Sequence, residues 1–262
     1  MSITYTTALI SFIDILGFKS LIETETPDVI LEILRTNELL GLSRLSVAAG
    51  GFLGGEMTTF KFSDLIVNVH ELKDGYESDG NLVYLAHNHF RKIGFVQWSL
   101  ACKGIFVRGG VTLGQIYADE RTLFGPALVQ AYELESQRAK WPIIAIDEEC
   151  LKELDRQFDI HFEYLRRIEP DYPFPRNLLR HQLYGQFIAR TDEDVPFLDY
   201  LACMLYEDVT TGDFDFLLAD HKVAVLAAYA KYRHYKYDFV ARYHNRVCER
   251  LGLSDEQISL EP

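Results

Sequence analysis

The spacing of apolar residues along the chain predicts short strands separated by amphipathic helices. Compact apolar runs indicate strands, and apolar residues three and four positions apart indicate helices. Glycine-rich residues 50–55 interrupt this pattern and predict a mobile loop. In chain order the predicted elements are a strand at 6–14, a helix at 27–43, strands at 56–63 and 65–69, a helix at 81–104, a strand at 105–117, a helix at 125–138, a strand at 142–146 and a helix at 147–158.

This order of elements predicts an α+β fold. The first six elements read strand, helix, strand, strand, helix, strand, which is the ferredoxin-like arrangement of an antiparallel sheet covered on one face by helices. We assign this core to residues 1–168. Three prolines follow between 170 and 175, and residues 214–251 combine aromatic residues with a helical pattern. Residues 169–262 are therefore predicted to form a mainly helical C-terminal extension, packed on the core or on a partner subunit.

Composition limits the classes of partner. The chain has 262 residues, 48% of them hydrophobic, and a net charge of −13. Nucleic acid is a poor partner for so acidic a chain, because binding it depends on clustered Lys and Arg. Apolar runs are too short to predict a membrane-spanning helix. The four cysteines are far apart and form no CxxC pair, which predicts neither zinc nor disulfides and favours the reducing cytoplasm.

Two aspartates carry the strongest chemical signal. Asp14 ends the first predicted strand, and Asp64 lies in the turn of the first predicted hairpin. In the ferredoxin-like order these positions meet at one end of the sheet. Carboxylates and the Ile15 carbonyl are ligands that Mg²⁺ and Mn²⁺ prefer. Alone, Asp14 is equally well explained as a helix cap, and Asp64 is better explained as an ordinary turn residue. The pair favours a site for two divalent ions.

Residues beside the aspartates are suited to binding phosphate. The backbone N–H groups of Leu16, Gly17 and Phe18 are expected to face a phosphate at the start of the next helix, and Gly17 lets the backbone approach it closely. Arg108 lies within an apolar strand, where a charge needs a partner or a function, and a guanidinium matches phosphate well. A structural salt bridge is the alternative explanation of Arg108.

Together these segments resemble the class III nucleotidyl cyclases over residues 6–147. The resemblance is carried by Asp14-Ile15-Leu16-Gly17-Phe18, by Asp64, by the Arg-x-Gly-x-x-x-Gly pattern from Arg108 to Gly114, and by the Phe124-Gly125 turn before a helix. It implies two Mn²⁺ or Mg²⁺ ions held by Asp14, Ile15 and Asp64. It also implies that residues 16–18 and Arg108 bind the triphosphate of a nucleotide, and that two subunits form a homodimer with shared active sites.

Four positions depart from the purine cyclases of that family. Phe60 stands where those enzymes carry a base-reading Lys, and Thr122 where they carry an Asp or a Cys. Val129 and Glu133 replace an Asn and an Arg of the later helix. The chain most resembles the pyrimidine cyclases of bacterial Pycsar anti-phage systems. That resemblance implies conversion of UTP to cyclic UMP and pyrophosphate, substrate contacts from Phe60 and Thr122, and a separate effector protein that responds to the product.

The sequence leaves alternatives open. Conversion of CTP to cyclic CMP is one, and UTP is favoured only because uridylate cyclases look commoner in the family. A purine cyclase with an unusual pocket is another. A catalytically silent nucleotide-binding module is the third, suggested by Val129 and Glu133. For an active enzyme, three candidates to replace the missing cation follow from proximity in sequence: Arg121, Arg138 and Lys140.

Overall fold

The structure of the chain is a computed structural model that describes residues 4–36, 57–72, 75–76, 80–207, 214–232 and 235–259. The glycine-rich loop predicted at 50–55 and the end of the helix predicted at 27–43 lie outside these residues. Among the helices in the described ranges, none is long and apolar enough to cross a membrane.

The predicted elements occur in the predicted order, with a short helix and a short strand as additional elements between them, and further elements follow. In chain order, the elements are β1 (Thr6–Ile15), α1 (Phe18–Thr24), α2 (Pro27–Arg35), β2 (Met57–Phe62), β3 (Leu65–Glu71), α3 (Asn81–Cys102), β4 (Val107–Ala118), β5 (Leu123–Phe124), α4 (Pro126–Glu133), β6 (Ile144–Ile146), α5 (Glu148–Ile168), α6 (Arg176–Leu183), β7 (Ile188–Arg190), β8 (Pro196–Leu198), α7 (Tyr200–Glu207), α8 (Phe214–Tyr232) and α9 (Tyr235–Leu251). A π-helical turn, Leu134–Arg138, follows α4 directly.

The strands form one sheet in the order β2-β3-β1-β4-β6-β8-β7, with β5 paired to β4. Strand β1 lies between β3 and β4 and runs antiparallel to both, and β2 runs antiparallel to β3. The order β2-β3-β1-β4 is that of the ferredoxin-like arrangement, so the predicted α+β fold with an antiparallel central sheet is confirmed. Strand β6 pairs parallel with β4 and continues the sheet towards β8 and β7.

Side chains of β1 alternate between two packed faces of the sheet. Leu9, Ile13 and Ile15 are buried in the larger hydrophobic cluster, which includes residues of α3 and α5. Ala8 and Ile10 are buried on the other face, in a cluster that includes residues of α4. By the same alternation, the side chain of Asp14 belongs to the face on which α4 lies.

Glycines in β4 let α4 lie close to the sheet. A Cβ on Gly110 would collide with the carbonyl oxygen of Ala131 and stand 2.6 Å from Cβ of Leu134. A Cβ on Gly114 would stand 3.1 Å from Cβ of Ala127. Because the helix approaches this closely, the π-helical turn that follows it reaches the first residues of β4. Such turns are frequent at functional sites.

The residues after 168 share both the sheet and the core. Strands β7 and β8 extend the central sheet, and a hydrophobic cluster joins Phe106 and Ile143 of the core to Leu201, Val225 and Val240 of the later helices. The predicted boundary falls where α5 ends, at Ile168. The division into two domains stays a prediction, and the later segment contains strands as well as the predicted helices.

We expect Gly110→Ala to lower the free energy of unfolding by about 1–3 kcal/mol, the usual cost of overpacking. The added methyl group meets the backbone of α4, which cannot rotate away as a side chain can. Urea denaturation measures the change. Gly185→Ala is the matched control, because its Cβ would meet its nearest atom at 3.4 Å. Equal stability of both variants would contradict the close approach of α4.

Candidate active site

Strand pairing places Asp14 beside Arg108 and next to Asp64. Asp14 is the register partner of Arg108 on β4 and of Leu65 on β3, and Asp64 immediately precedes Leu65. The backbone N–H of Ile15 donates to the carbonyl of Asp64 over 3.1 Å, which ties the end of β1 to the hairpin turn. Nε of Arg108 lies 3.4 Å from Oδ2 of Asp14. The structure therefore brings together the three charged residues that the sequence singled out.

The helix-cap explanation of Asp14 does not hold. Helix α1 begins at Phe18, and its N-cap residue is Gly17, which has a φ of 74° and makes no side-chain cap. The left-handed backbone at Gly17 is favourable for glycine, because other residues meet steric cost there. The carboxylate of Asp14 instead meets Arg108 across the strands. Asp64 does lie in a turn, a two-residue connection between β2 and β3 that includes Ser63 with a φ of 58°.

A third carboxylate, not predicted from the sequence, belongs to the site. Oε1 of Glu135, from the π-helical turn, forms an ion pair with Nε of Arg108. The side chain of Glu135 is only 4% exposed, whereas those of Asp14 and Arg108 are 26% and 32% exposed. A single guanidinium nitrogen thus lies between two carboxylates. Glu135 could not be found from spacing alone, because its position depends on the π-helical turn.

The charges of the site oppose one another. Burial raises the pKa of Asp14 above its ordinary value, Arg108 opposes this rise, and the nearby charge of Asp64 adds to it. Burial likewise raises the pKa of Glu135, Arg108 again opposes the rise, and Asp14 adds to it. Lys236 of α9 lowers both pKa values as well. Like charges held this close are stabilised by any added cation.

The donors present fit a divalent cation that also binds phosphate. Within the described residues, no group of three or more His, Cys, Asp or Glu side chains is placed to hold a metal ion. Mg²⁺ is usually held by one or two carboxylates, with substrate phosphates and water supplying its other ligands. Asp14 and Asp64, with the Ile15 carbonyl beside them, match that smaller set, so these three residues are the ones that could hold such ions.

One part of the predicted phosphate cradle needs correction. The backbone N–H of Leu16 donates to the carbonyl of Phe106 over 2.9 Å, so this group is engaged within the protein. That bond holds the β1–α1 turn against the residue before β4. The side chain of Phe18 is buried and contributes to the core. Any contact of the turn with phosphate would come from the backbone of Gly17 and Phe18.

The two predicted base-contacting positions lie at different distances from Asp14. Phe60 pairs with Val67, which pairs with Phe12, and all three contribute to the cluster on the α4 face. Phe60 is thus two strands from β1 on the same face as Asp14. Thr122 is exposed and lies beyond the far end of β4. From Arg108 to Ala118 the strand spans about 30 Å, at about 3.3 Å per residue, so Thr122 and Asp14 of one chain cannot contact the same nucleotide.

The three cations proposed from proximity in sequence stay predictions, and the contacts described for each involve other residues. The backbone of Arg121 belongs to the exposed turn organised by Asp119. Arg138 contributes to lowering the pKa of Glu148, and Lys140 forms an ion pair with Glu193 over 2.7 Å. The charge of Lys236 also acts on Asp14. No local pattern predicted this role for Lys236, which lies 222 positions further along the chain.

No family model and no curated protein matches the sequence. The solved structures that resemble the chain include a bacterial light-regulated adenylyl cyclase, with a TM-score of 0.40 and 15% identity over 78% of this chain and 97% of that chain. The catalytic core of a rhodopsin-guanylyl cyclase with converted specificity, in complex with ATPαS, gives a TM-score of 0.35 at 15% identity, over 60% of this chain and 80% of that chain. A class III adenylyl cyclase-like ATP-binding protein from Pseudomonas aeruginosa gives a TM-score of 0.36 at 13% identity, over 78% of this chain and 40% of that chain. At TM-scores of 0.40 and below, these likenesses assign no function to this chain.

We expect Mn²⁺ to raise the unfolding temperature of the protein through Asp14 and Asp64. A ligand that binds only the folded state stabilises it by about 2.7 kcal/mol at about 100 times its Kd. Asp14→Asn and Asp64→Asn should each abolish most of this rise, as measured by scanning calorimetry with and without Mn²⁺. Asp159→Asn is the control, because Asp159 is an exposed carboxylate of α5 that pairs with Arg176 of α6. A rise that survives in both site variants would contradict the assignment.

Proposed function

We propose that the protein is a metal-dependent nucleotide cyclase that converts UTP to 3′,5′-cyclic UMP and pyrophosphate. The observation that carries the proposal is the meeting of Asp14, Asp64 and Arg108 at one end of the central sheet. Two carboxylates beside a guanidinium can hold divalent ions and a polyphosphate together. The surface as a whole, with a net charge of −13, disfavours larger polyanions such as nucleic acid.

In the proposed reaction, the ribose 3′-oxygen bonds to the α-phosphorus and the bond to pyrophosphate breaks. Asp14, Asp64 and the carbonyl of Ile15 hold two Mn²⁺ or Mg²⁺ ions. When bound, such ions lower the pKa of the attacking hydroxyl and offset negative charge on the triphosphate. The Nε–H of Arg108 contacts the carboxylates of Asp14 and Glu135. The Nη1 and Nη2 groups of Arg108 are suited to binding a phosphate. Chemistry of this kind depends mainly on positioning and electrostatics.

The preference for a pyrimidine rests on the residue at position 60. Phe60 is aromatic and packs in the cluster on the Asp14 face, so it can stack on a base but donates no hydrogen bond to a purine edge. UTP is the substrate we favour, and CTP, giving cyclic CMP, is the alternative. We further propose, from the sequence resemblance, that the cyclic product acts on a separate effector protein in bacterial anti-phage defence.

A homodimer with shared active sites would reconcile the positions of Thr122 and Asp14. Because these residues lie at opposite ends of β4 within one chain, Thr122 can approach a nucleotide at Asp14 only from a second subunit. Apolar side chains are exposed on the α4 face of the sheet, where a partner subunit could cover them. They are Phe62 at 54%, Val129 at 57% and Tyr132 at 52% exposure.

The purified protein, incubated with each of the four nucleoside triphosphates and Mn²⁺, should form cyclic UMP. Mass spectrometry of the products identifies the cyclic nucleotide. Asp14→Asn and Asp64→Asn should each lower the rate about a hundredfold or more, as expected when a main electrostatic contact to the transition state is lost. Asp159→Asn should retain the rate.

Other outcomes of this assay separate the alternatives. Cyclic CMP as the main product would show that CTP, and not UTP, is the substrate. A preference for ATP or GTP would contradict the pyrimidine assignment. Nucleotide binding with no cyclic product from any of the four substrates would favour the catalytically silent module.

We expect Val129→Glu to separate the proposed homodimer into monomers and to abolish cyclase activity. A carboxylate buried in the interface without a partner would be strongly unfavourable. Light scattering coupled to size-exclusion chromatography measures the oligomeric state. Val223→Glu is the matched control, because Val223 is 66% exposed on α8, away from the α4 face. An active monomeric wild-type protein would contradict the shared site.

A further inference from the structure

A cavity of about 300 Å³ opens beside the candidate active site. It lies between the β1–α1 turn, the residues before β4, and the first turn of α9. Its walls include Leu16, Gly17, Ser20, Phe106, Lys236 and Tyr237. This volume is at the lower end of the range for small-molecule sites. The cavity thus begins at the turn that follows Asp14 and ends on a helix of the C-terminal extension.

A positively charged side chain of the C-terminal extension, that of Lys236, lines the cavity. Lys236 lines it together with Leu16 and Gly17 of the β1–α1 turn. Its charge acts on both Asp14 and Glu135. Arg108 contacts both of these carboxylates. An anion entering the cavity would therefore meet Lys236 beside the turn that follows Asp14.

Aromatic packing fixes where Lys236 lies. The neighbouring ring of Tyr237 meets the ring of Phe106 edge to face, with centroids 5.2 Å apart. Two residues later, Phe239 stacks on Trp141 at 4.9 Å. Such ring pairs contribute beyond the area they bury. The first turn of α9 is thereby held against the core at the point where Lys236 enters the cavity.

We propose that Lys236 binds the triphosphate of the nucleotide, so that the C-terminal extension supplies within the same chain a cation additional to Arg108 of the core. The inference rests on the proposed function for the identity of the ligand. The chemistry it requires is narrower, namely a polyphosphate held between an ammonium group and divalent ions. A flexible ammonium group with three N–H donors suits phosphate oxygens whose orientation changes as pyrophosphate leaves.

Binding of inorganic tripolyphosphate tests the inference without requiring turnover. In calorimetric titrations with Mn²⁺ present, Lys236→Gln should weaken binding about tenfold, the loss expected for a hydrogen bond to a charged group. Lys236→Arg should retain most of the affinity, because it keeps the charge. Lys152→Gln removes an exposed charge on α5 and is the matched control. Circular dichroism checks that each variant is folded.

Steady-state kinetics separates this inference from the proposed function. With UTP, Lys236→Gln should raise KM, and Lys236→Arg should largely restore it. One outcome would overturn the inference and leave the cyclase proposal intact. In that outcome the wild type forms the cyclic product, and Lys236→Gln has the same KM and the same affinity for tripolyphosphate as the wild type. If tripolyphosphate binding depends on Lys236 but no cyclic product forms, the inference is supported and the cyclase proposal is contradicted. Equal weakening in Lys152→Gln, or no binding by the wild type, would overturn the inference.

Discussion

The contact between Arg108 and the carboxylates of Asp14 and Glu135 is the interaction on which the rest of the site depends. It requires β1 and β4 to pair in one register, because a shift by one residue would turn Asp14 to the opposite face. It also requires α4 to lie close enough for Glu135 to reach the sheet, which the absence of a side chain at Gly110 permits. The ion pairs of Arg108 therefore depend on both the sheet register and the packing of α4. If either carboxylate were misplaced, a charge at the site would be poorly compensated.

The same contact shows why an added cation would be favourable at this site. The carboxylates of Asp14 and Glu135 contact Arg108, and Asp64 adds negative charge beside Asp14. Burial together with mutual repulsion raises the pKa of Asp14 and of Glu135, although Arg108 and Lys236 oppose the rise. Divalent ions would relieve that repulsion and add positive charge for a polyphosphate. The acidic character of the whole chain and the binding of a small anion are therefore compatible, since the positive charge is concentrated in one place rather than spread over a surface.

Local patterns were sufficient to predict the core, and long-range contacts account for what they missed. Asp14 and Asp64 could be paired from sequence because a strand end and a hairpin turn are local signals, and the ferredoxin-like order supplies their proximity. Strands β7 and β8 have three residues each, too few to establish a period. Glu135 depends on a π-helical turn, and Lys236 on the packing of α9. Neither of these carries a recognisable signature in a single sequence.

Phe106 gives the extension a physical connection to the site. Its carbonyl accepts the N–H of Leu16, and its ring packs against Tyr237. The β1–α1 turn and the first turn of α9 are thus attached to the same residue, from opposite sides of the cavity. Because Phe106 is buried, with 4% exposure, it has little room to shift when either neighbour moves. A displacement of α9 would therefore change the environment of Asp14, through Phe106 and through the charge of Lys236, even if no residue of the core were altered.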